Sequence, residues 1–90
     1  MWHTYLLQCQ DNTLYCGVTT DLTRRLHEHN HTNKGAKYTR TRRPVTLVYS
    51  EPHPDRSSAC KREAAIKKLT KQQKIKLKQG AAARLLGATL

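Results

Sequence analysis

After Gly17 the chain enters a helix-forming stretch in which Leu22, Arg25, Leu26 and His29 fall at i, i+3, i+4 and i+7. Arg25 and His29 therefore share a face with two leucines, and ionisable groups turned toward a core are costly unless something uses them. Farther along, Ala59, Glu63 and Ile66 follow i+4 and i+3 steps, so a carboxylate also points inward on a second helix. With Tyr5 and Tyr15 upstream, the set comprises two phenols, a guanidinium, an imidazole and a carboxylate. That is enough chemistry for metal-assisted cleavage of a phosphodiester.

Each member has a physical reason to belong. A hard ion such as Mg²⁺ commonly takes one or two protein carboxylates and completes its shell with water and substrate oxygens, so a lone Glu63 suffices. Arg25 is permanently charged and forked, suited to two phosphate oxygens at once as negative charge develops. A tyrosine of ordinary pKa about 10 is a weak base at neutral pH and needs help from its neighbours. Gly17 lets backbone or ligand approach closely, or marks a strand-end bulge.

The elements that must position these groups follow from local pattern. Residues 3–9 and 13–18 are rich in Tyr, Leu, Val and Thr and flank Gln10-Asp11-Asn12, predicting a hairpin around an Asx-type turn. Its register matters. Pairing Cys9 with Leu14 sends Tyr5 and Tyr15 to opposite faces, whereas a one-residue bulge brings them to the same face. Asp21 or Thr20 caps the first helix, which should run to about Asn30. Residues 30–44 read as a basic loop carrying Lys34, Lys37, Tyr38, Arg40, Arg42 and Arg43, and Val45 to Ser50 as a third strand. Pro52 and Pro54 break the chain before a second helix, capped by Asp55, Ser57 or Ser58 and reaching about Leu69. Thr70-Lys71-Gln72-Gln73 has the capping-box pattern and opens a third, very basic helix ending near Gly80. The order β-β-α-β-α-α predicts a single small α+β (mixed α/β) domain, a three-stranded sheet flanked by helices, over residues 1–80, with 81–90 as a C-terminal tail.

Composition narrows the partner. The 90 residues hold 17 Lys plus Arg against 6 Asp plus Glu, a net charge of +11 with pI near 10.1, spread along the whole length. A polyanion, nucleic acid above all, is the expected partner, with phosphates met by Lys37, Tyr38, Arg40, Arg42, Arg43 and Lys67 near Gly17. Cys9, Cys16 and Cys60 are odd in number and lack C-x-x-C spacing, so neither a disulfide framework nor a thiolate zinc site is expected. No apolar run has membrane-spanning length, and no obligate protein partner is evident. A cytoplasmic protein is expected.

Taken in order, Tyr5, Tyr15-Cys16-Gly17, Asp21-Leu22, Arg25, His29 and Glu63 resemble the landmarks of the GIY-YIG nuclease domain over roughly residues 3–68. Gly35-Ala36-Lys37-Tyr38-Thr39-Arg40 and Arg62-Glu63-Ala64-Ala65-Ile66-Lys67-Lys68-Leu69 are similar to the small stand-alone bacterial YhbQ-type members. The first signature reads His3-Thr4-Tyr5 rather than Gly-Ile-Tyr, and the second Tyr15-Cys16-Gly17 rather than Tyr-Ile-Gly; both tyrosines and the glycine are kept. The resemblance implies endonuclease hydrolysis of DNA, in structured or single-stranded form, with one Mg²⁺ or Mn²⁺ ion and a role in repair or recombination; RNA stays open as a substrate. It also implies that Glu63 binds the metal, that Arg25 contacts the scissile phosphate, that Tyr5 or Tyr15 helps to activate water, and that His29 supports the tyrosine or the phosphate.

Two rival readings remain. A non-catalytic DNA- or RNA-binding module would use the 34–43 loop and the helices rich in Lys61, Lys67, Lys71 and Lys74 on phosphates, because phosphate contacts require charge alone. His27-Glu28-His29-Asn30-His31 also matches the His-Glu-x-x-His zinc motif, with Glu51 as a distant third ligand, though His27 and His31 lie off the Leu22–Leu26 face.

Overall fold

The computed structural model describes residues 1–89, and of residues 81–89 the backbone only. Strands β1 (Trp2–Gln8) and β2 (Leu14–Thr19) form the expected hairpin, followed by α1 (Leu22–His31), a short α2 (Lys37–Arg40), β3 (Thr46–His53), α3 (Arg56–Lys67) and α4 (Lys71–Thr89). The sheet is antiparallel in the order β2-β1-β3, so β1 is central and β2 and β3 are edges.

The hairpin connection fixes the register. Asn12 N–H donates to the Cys9 carbonyl at 3.0 Å, Cys9 N–H donates to the Thr13 carbonyl at 2.8 Å, and Asn12 has φ 66. This is a three-residue loop closed by a left-handed residue, a conformation asparagine tolerates better than most side chains. The Asp11 carboxylate accepts from the Thr13 amide at 3.1 Å and its hydroxyl at 2.6 Å, the expected Asx-type turn. The extra residue shifts the ladder to Gln8↔Leu14, giving Tyr5↔Gly17 and Leu7↔Tyr15. Tyr5 and Tyr15 therefore point to the same face.

That face packs Tyr5, Leu7, Cys9 and Val45 against Leu22 and Leu26 of α1, with Leu47 and Tyr15 at the margin. The opposite face packs Leu6, Cys16 and Tyr49 against Ile66 of α3 and Leu77 of α4, and the buried Thr4 hydroxyl donates to the Ala59 carbonyl at 2.9 Å. A bulge between Leu6 and Leu7 in the β1–β3 ladder sends Leu47 to the α1 side and Tyr49 to the α3 side.

The caps follow the sequence. Asp21 accepts from the Arg24 amide and Asp55 from the Ser58 amide, and Thr70 and Gln73 exchange the reciprocal bonds of a capping box at 2.9 and 3.2 Å.

Three boundaries differ from expectation. The basic loop contains the turn of helix α2. β3 continues through Pro52 to His53, which an edge strand permits because the missing N–H faces no partner strand. α4 continues past Gly80 to Thr89: a glycine ends a helix by turning left-handed, and no glycine among the described residues has a positive φ. The helix then runs into Ala81-Ala82-Ala83, strong helix formers. The expected tail 81–90 thus has helical backbone to Thr89, and Leu90 lies outside the described residues.

Candidate active site

Tyr5 comes from the central strand, Tyr15 and Gly17 from β2, and Arg25 and His29 from the inward face of α1. His29 is fully buried, at 0% exposure. Its Nε2 lies 2.9 Å from the Tyr5 hydroxyl and its Nδ1 lies 2.8 Å from the hydroxyl oxygen of Thr39 on α2. The Thr39 hydroxyl donates to the Ala36 carbonyl at 2.9 Å. A hydroxyl has one proton, so toward His29 its oxygen must accept, which assigns the proton to Nδ1 and leaves Nε2 with a lone pair. The Tyr5 phenol then donates to Nε2. The chain of bonds is directional, Tyr5 to His29 to Thr39 to Ala36.

Gly17 is the cross-strand partner of Tyr5, and a Cβ built on it would lie 2.5 Å from the Tyr5 hydroxyl oxygen and 2.7 Å from the ring carbon that bears it. Glycine is required here so that the ring can lie over the strand. Gly35 does a similar service: a Cβ there would come within 2.7 Å of the His29 Cα, so its absence lets the loop before α2 lie against α1 and deliver Thr39.

Burial and charge tune these groups. Burial pushes the Tyr5 phenol up to about 12, against the opposing pull of the Arg25 guanidinium. Burial, helped by the positive charge of Arg25, holds the His29 imidazole down at about 4. At neutral pH the pair is therefore a protonated phenol and a neutral imidazole. Burial works against the Arg25 charge, but the neighbouring Tyr5 and Glu28 more than compensate and hold its pKa above the ordinary value. Its guanidinium donates to Glu28 at 3.2 Å and to the Lys34 carbonyl at 2.9 Å.

Glu63 stands apart from Tyr5, Tyr15, Arg25 and His29. Its helix, α3, packs on the opposite face of the sheet, where the carboxylate bears on the Cys16 thiol and, with burial as the larger cause, raises it to about 11. Glu63 is half-buried and pairs with Lys67 at 3.5 Å. Tyr15 and Cys16 are consecutive residues of an edge strand, so Glu63 and the Tyr5–His29 pair flank β2 from its two sides. A phosphate meeting both must sit at the β2 edge.

The loop residues expected to hold nucleic acid are largely engaged within the protein. Tyr38, 39% exposed, stacks on Tyr15 at 6.0 Å between ring centroids, and Tyr15 stands edge-on to His29 at 5.4 Å. Arg42 covers the Tyr38 ring at 4.0 Å while donating to Asp11 at 3.0 Å and to the Tyr38 carbonyl at 2.8 Å. Arg43 was expected to meet phosphate; instead its guanidinium donates to the His29 carbonyl at 2.6 Å and to the Thr32 carbonyl, capping the end of α1, where unpaired carbonyls attract a cation. Lys37 and Arg40 are exposed on α2, and Lys67 is exposed beside Glu63. Sequence reasoning missed Thr39 as a site residue, although it lies inside the 35–40 segment that carries the YhbQ-type resemblance.

The zinc alternative finds no third ligand. The exposed His27 and His31 rings lie 4.8 Å apart, Glu51 is bound to Arg62 at 2.6 Å, and no group of three His, Cys, Asp or Glu converges among the described residues.

The family model of the GIY-YIG catalytic domain matches residues 1–76. The chain belongs to the GIY-YIG family. Within that family it is similar to small UPF0213 (YhbQ-type) proteins. One from Desulfotalea psychrophila is 58% identical over 81% of this chain, which spans 66% of that relative's length; one from Staphylococcus haemolyticus is 49% identical over 83% of this chain and 90% of its own. The solution NMR structure of a UPF0213 protein from Bacillus halodurans, 40% identical, covers 86% of this chain and 82% of its own with a TM-score of 0.54. That of an Enterococcus protein, E. faecalis, 48% identical, covers 93% and 85% with a TM-score of 0.57. GIY-YIG membership makes this a nuclease-superfamily domain with nucleic acid as the implied substrate. Among the described residues no helix is long and apolar enough to cross a membrane.

Proposed function

We propose that the protein is a metal-dependent endonuclease that hydrolyses phosphodiester bonds in DNA, using Tyr5 and His29 as a proton relay. The buried, directional chain from Tyr5 through His29 to Thr39, beside the Arg25 guanidinium, carries this reading. Family analogy extends the proposal to a setting in DNA repair or recombination.

In this reading Arg25 takes the scissile phosphate, giving up contact with Glu28 for phosphate oxygens as charge develops. A water between phosphate and Tyr5 passes a proton to the phenol oxygen while the phenol proton moves to His29 Nε2. The water oxygen bonds to phosphorus as the ester oxygen leaves, and that oxygen takes a proton from solvent. The resulting imidazolium donates from both nitrogens, to Thr39 and to Tyr5, and then returns its proton through Tyr5. A phenol near 12 is no free base at neutral pH, so it needs the imidazole behind it. Phosphate on Arg25 also offsets part of the charge that holds His29 down, so the acceptor strengthens when substrate arrives.

Glu63 fits a hard divalent cation. Its carboxylate is partly exposed, and the Lys67 ammonium that pairs with it is itself exposed and readily displaced. Since no second acidic ligand converges on it among the described residues, water and phosphate oxygens would complete the shell. A bound Mg²⁺ or Mn²⁺ would polarise the phosphate and stabilise the leaving oxygen.

The Glu63–Lys67 and Arg25–Glu28 pairs favour one alternative, a binding module whose active groups are neutralised internally. Incubating the purified protein with single-stranded, duplex and branched DNAs and with RNA, with Mg²⁺ or EDTA, separates the two. The nuclease reading expects cleavage that EDTA, Glu63→Gln and Arg25→Ala each abolish. Equal behaviour of all three proteins would overturn it.

A further inference from the structure

The basic residues divide into two groups that composition alone cannot separate. On the α1 side, Arg25, Arg42 and Arg43 are engaged with Glu28, Asp11 and backbone carbonyls, while Lys37 and Arg40 stay exposed on α2. On the α4 side, Lys71 and Lys74 line an open groove of about 180 Å³ with Thr13 and Leu14, at the start of β2. Lys71 is exposed and Lys74 half-buried.

Leu14 directly precedes Tyr15 on β2, so the groove opens one residue along the edge strand from the active site. Glu63, Lys67 and Lys74 all lie close enough to Cys16 for their charges to act on its thiol, and Cys16 is two residues along β2 from Leu14. The groove lysines therefore stand at the Leu14 end of β2, and the charges of Glu63 and Lys67 act on Cys16 two residues farther along the same strand. From Leu14 to Cys16 the strand spans roughly 7 Å at about 3.3 Å per residue. Such a row of cations beside an edge strand is complementary in charge and shape to a run of consecutive phosphates.

We infer that the groove between the start of β2 and the first turn of α4 is a phosphate track, in which Lys71 and Lys74 bind the sugar–phosphate backbone of the nucleic-acid strand leading away from the cleavage site. This rests on the proposed nuclease reading only for where the scissile phosphate lies. The track supplies positioning charge and no base readout, so it acts on any sequence. It also gives part of the net positive charge a specific place of use, on the helix that follows Glu63.

The test is fluorescence anisotropy in EDTA, across a salt series, with a fluorescein-labelled 15-nucleotide single strand and the matching duplex. Lys71→Gln/Lys74→Gln is compared with Lys61→Gln/Lys76→Gln. The control pair removes the same charge from exposed positions: Lys61 near Asp55 at the far end of α3, and Lys76 two residues, about 200°, around α4 from Lys74. All four positions are solvent-accessible, and circular dichroism checks the fold. The groove pair should lose about tenfold in affinity at 0.1 M salt, and its slope of log affinity against log salt should fall by roughly 1.4 to 1.8 for two lost contacts. The control pair should stay within about twofold of the wild type. Equal effects of the two double variants, or no binding by the wild type, would overturn the inference. Wild-type cleavage assayed separately with Mg²⁺ distinguishes the two claims: cleavage with equal binding effects sinks the track alone, and a track without cleavage sinks the nuclease reading alone.

Discussion

Gly17 faces Tyr5 across the β1–β2 ladder, and the phenol fills the space a Cβ on Gly17 would need, 2.5 Å from the hydroxyl oxygen. The contact is with the end of a ring that is itself buried and hydrogen-bonded, so the ring cannot yield without breaking its bond to His29. Gly17→Ala should lower stability by about 1–3 kcal/mol through overpacking and reduce cleavage at least as much as Tyr5→Phe does. Chemical denaturation and a single-turnover assay check this; wild-type activity and stability in Gly17→Ala would mean that the ring has room to move.

The depressed His29 pKa sets a pH window. The unfolded imidazole titrates near 6.5 and the folded one at about 4, so between these values the unfolded chain binds the extra proton. The contribution is fully present above about pH 6.5 and is lost as pH falls toward 4. Melting temperature should drop across that interval, and by less in His29→Gln. In activity, the acid limb of kcat/KM should lie well below 6.5, whereas that of kcat, which reports the substrate complex, should lie higher. Coincident limbs at 6.5 would contradict the buried, Arg25-influenced histidine.

In the proposed relay Thr39 acts through His29, as a positioning residue. Thr39→Val should release the tautomer, visible in imidazole ¹⁵N shifts as a population with the proton on Nε2, and lower kcat by about tenfold or more with little change in KM. Thr39→Ser, which keeps the hydroxyl, should restore both. An unchanged tautomer in Thr39→Val would show that something else orients the ring.

Glu63→Gln preserves shape and removes charge. It should leave nucleic-acid affinity in EDTA unchanged or slightly higher, since Lys67 loses its internal partner, while metal-dependent cleavage falls by about 10²-fold or more. Isothermal titration with Mn²⁺ supplies the parallel readout: saturable binding in the wild type and its loss in the variant. Equal Mn²⁺ binding by both proteins would remove Glu63 from the role.

Much of this site was legible before folding because helical periodicity is a local signal. The spacing Leu22, Arg25, Leu26, His29 fixed which face of α1 would be buried, and Asp21, Asp55 and the Thr70–Gln73 box marked helix starts through short-range hydrogen bonds. The common face of Tyr5 and Tyr15 was not legible, since it depends on whether Asn12 turns left-handed, and Asp11-Asn12 is compatible with more than one turn. Thr39 was hidden for a different reason: its value comes from meeting a histidine ten residues away across a loop seated by Gly35. Arg43 counted as free charge in the sequence, but only the packed end of α1 reveals the carbonyls that claim it.

The most direct test of the relay is the single-turnover rate of DNA cleavage with saturating protein and Mg²⁺ for wild type, Tyr5→Phe and Tyr15→Phe. Both variants keep their rings and the packing around His29, and only Tyr5 has its hydroxyl bonded to Nε2. The account predicts that Tyr5→Phe loses at least about 10²-fold while Tyr15→Phe stays within about threefold of the wild type. A Tyr5→Phe protein that cleaves at the wild-type rate, or a larger loss in Tyr15→Phe, would contradict it.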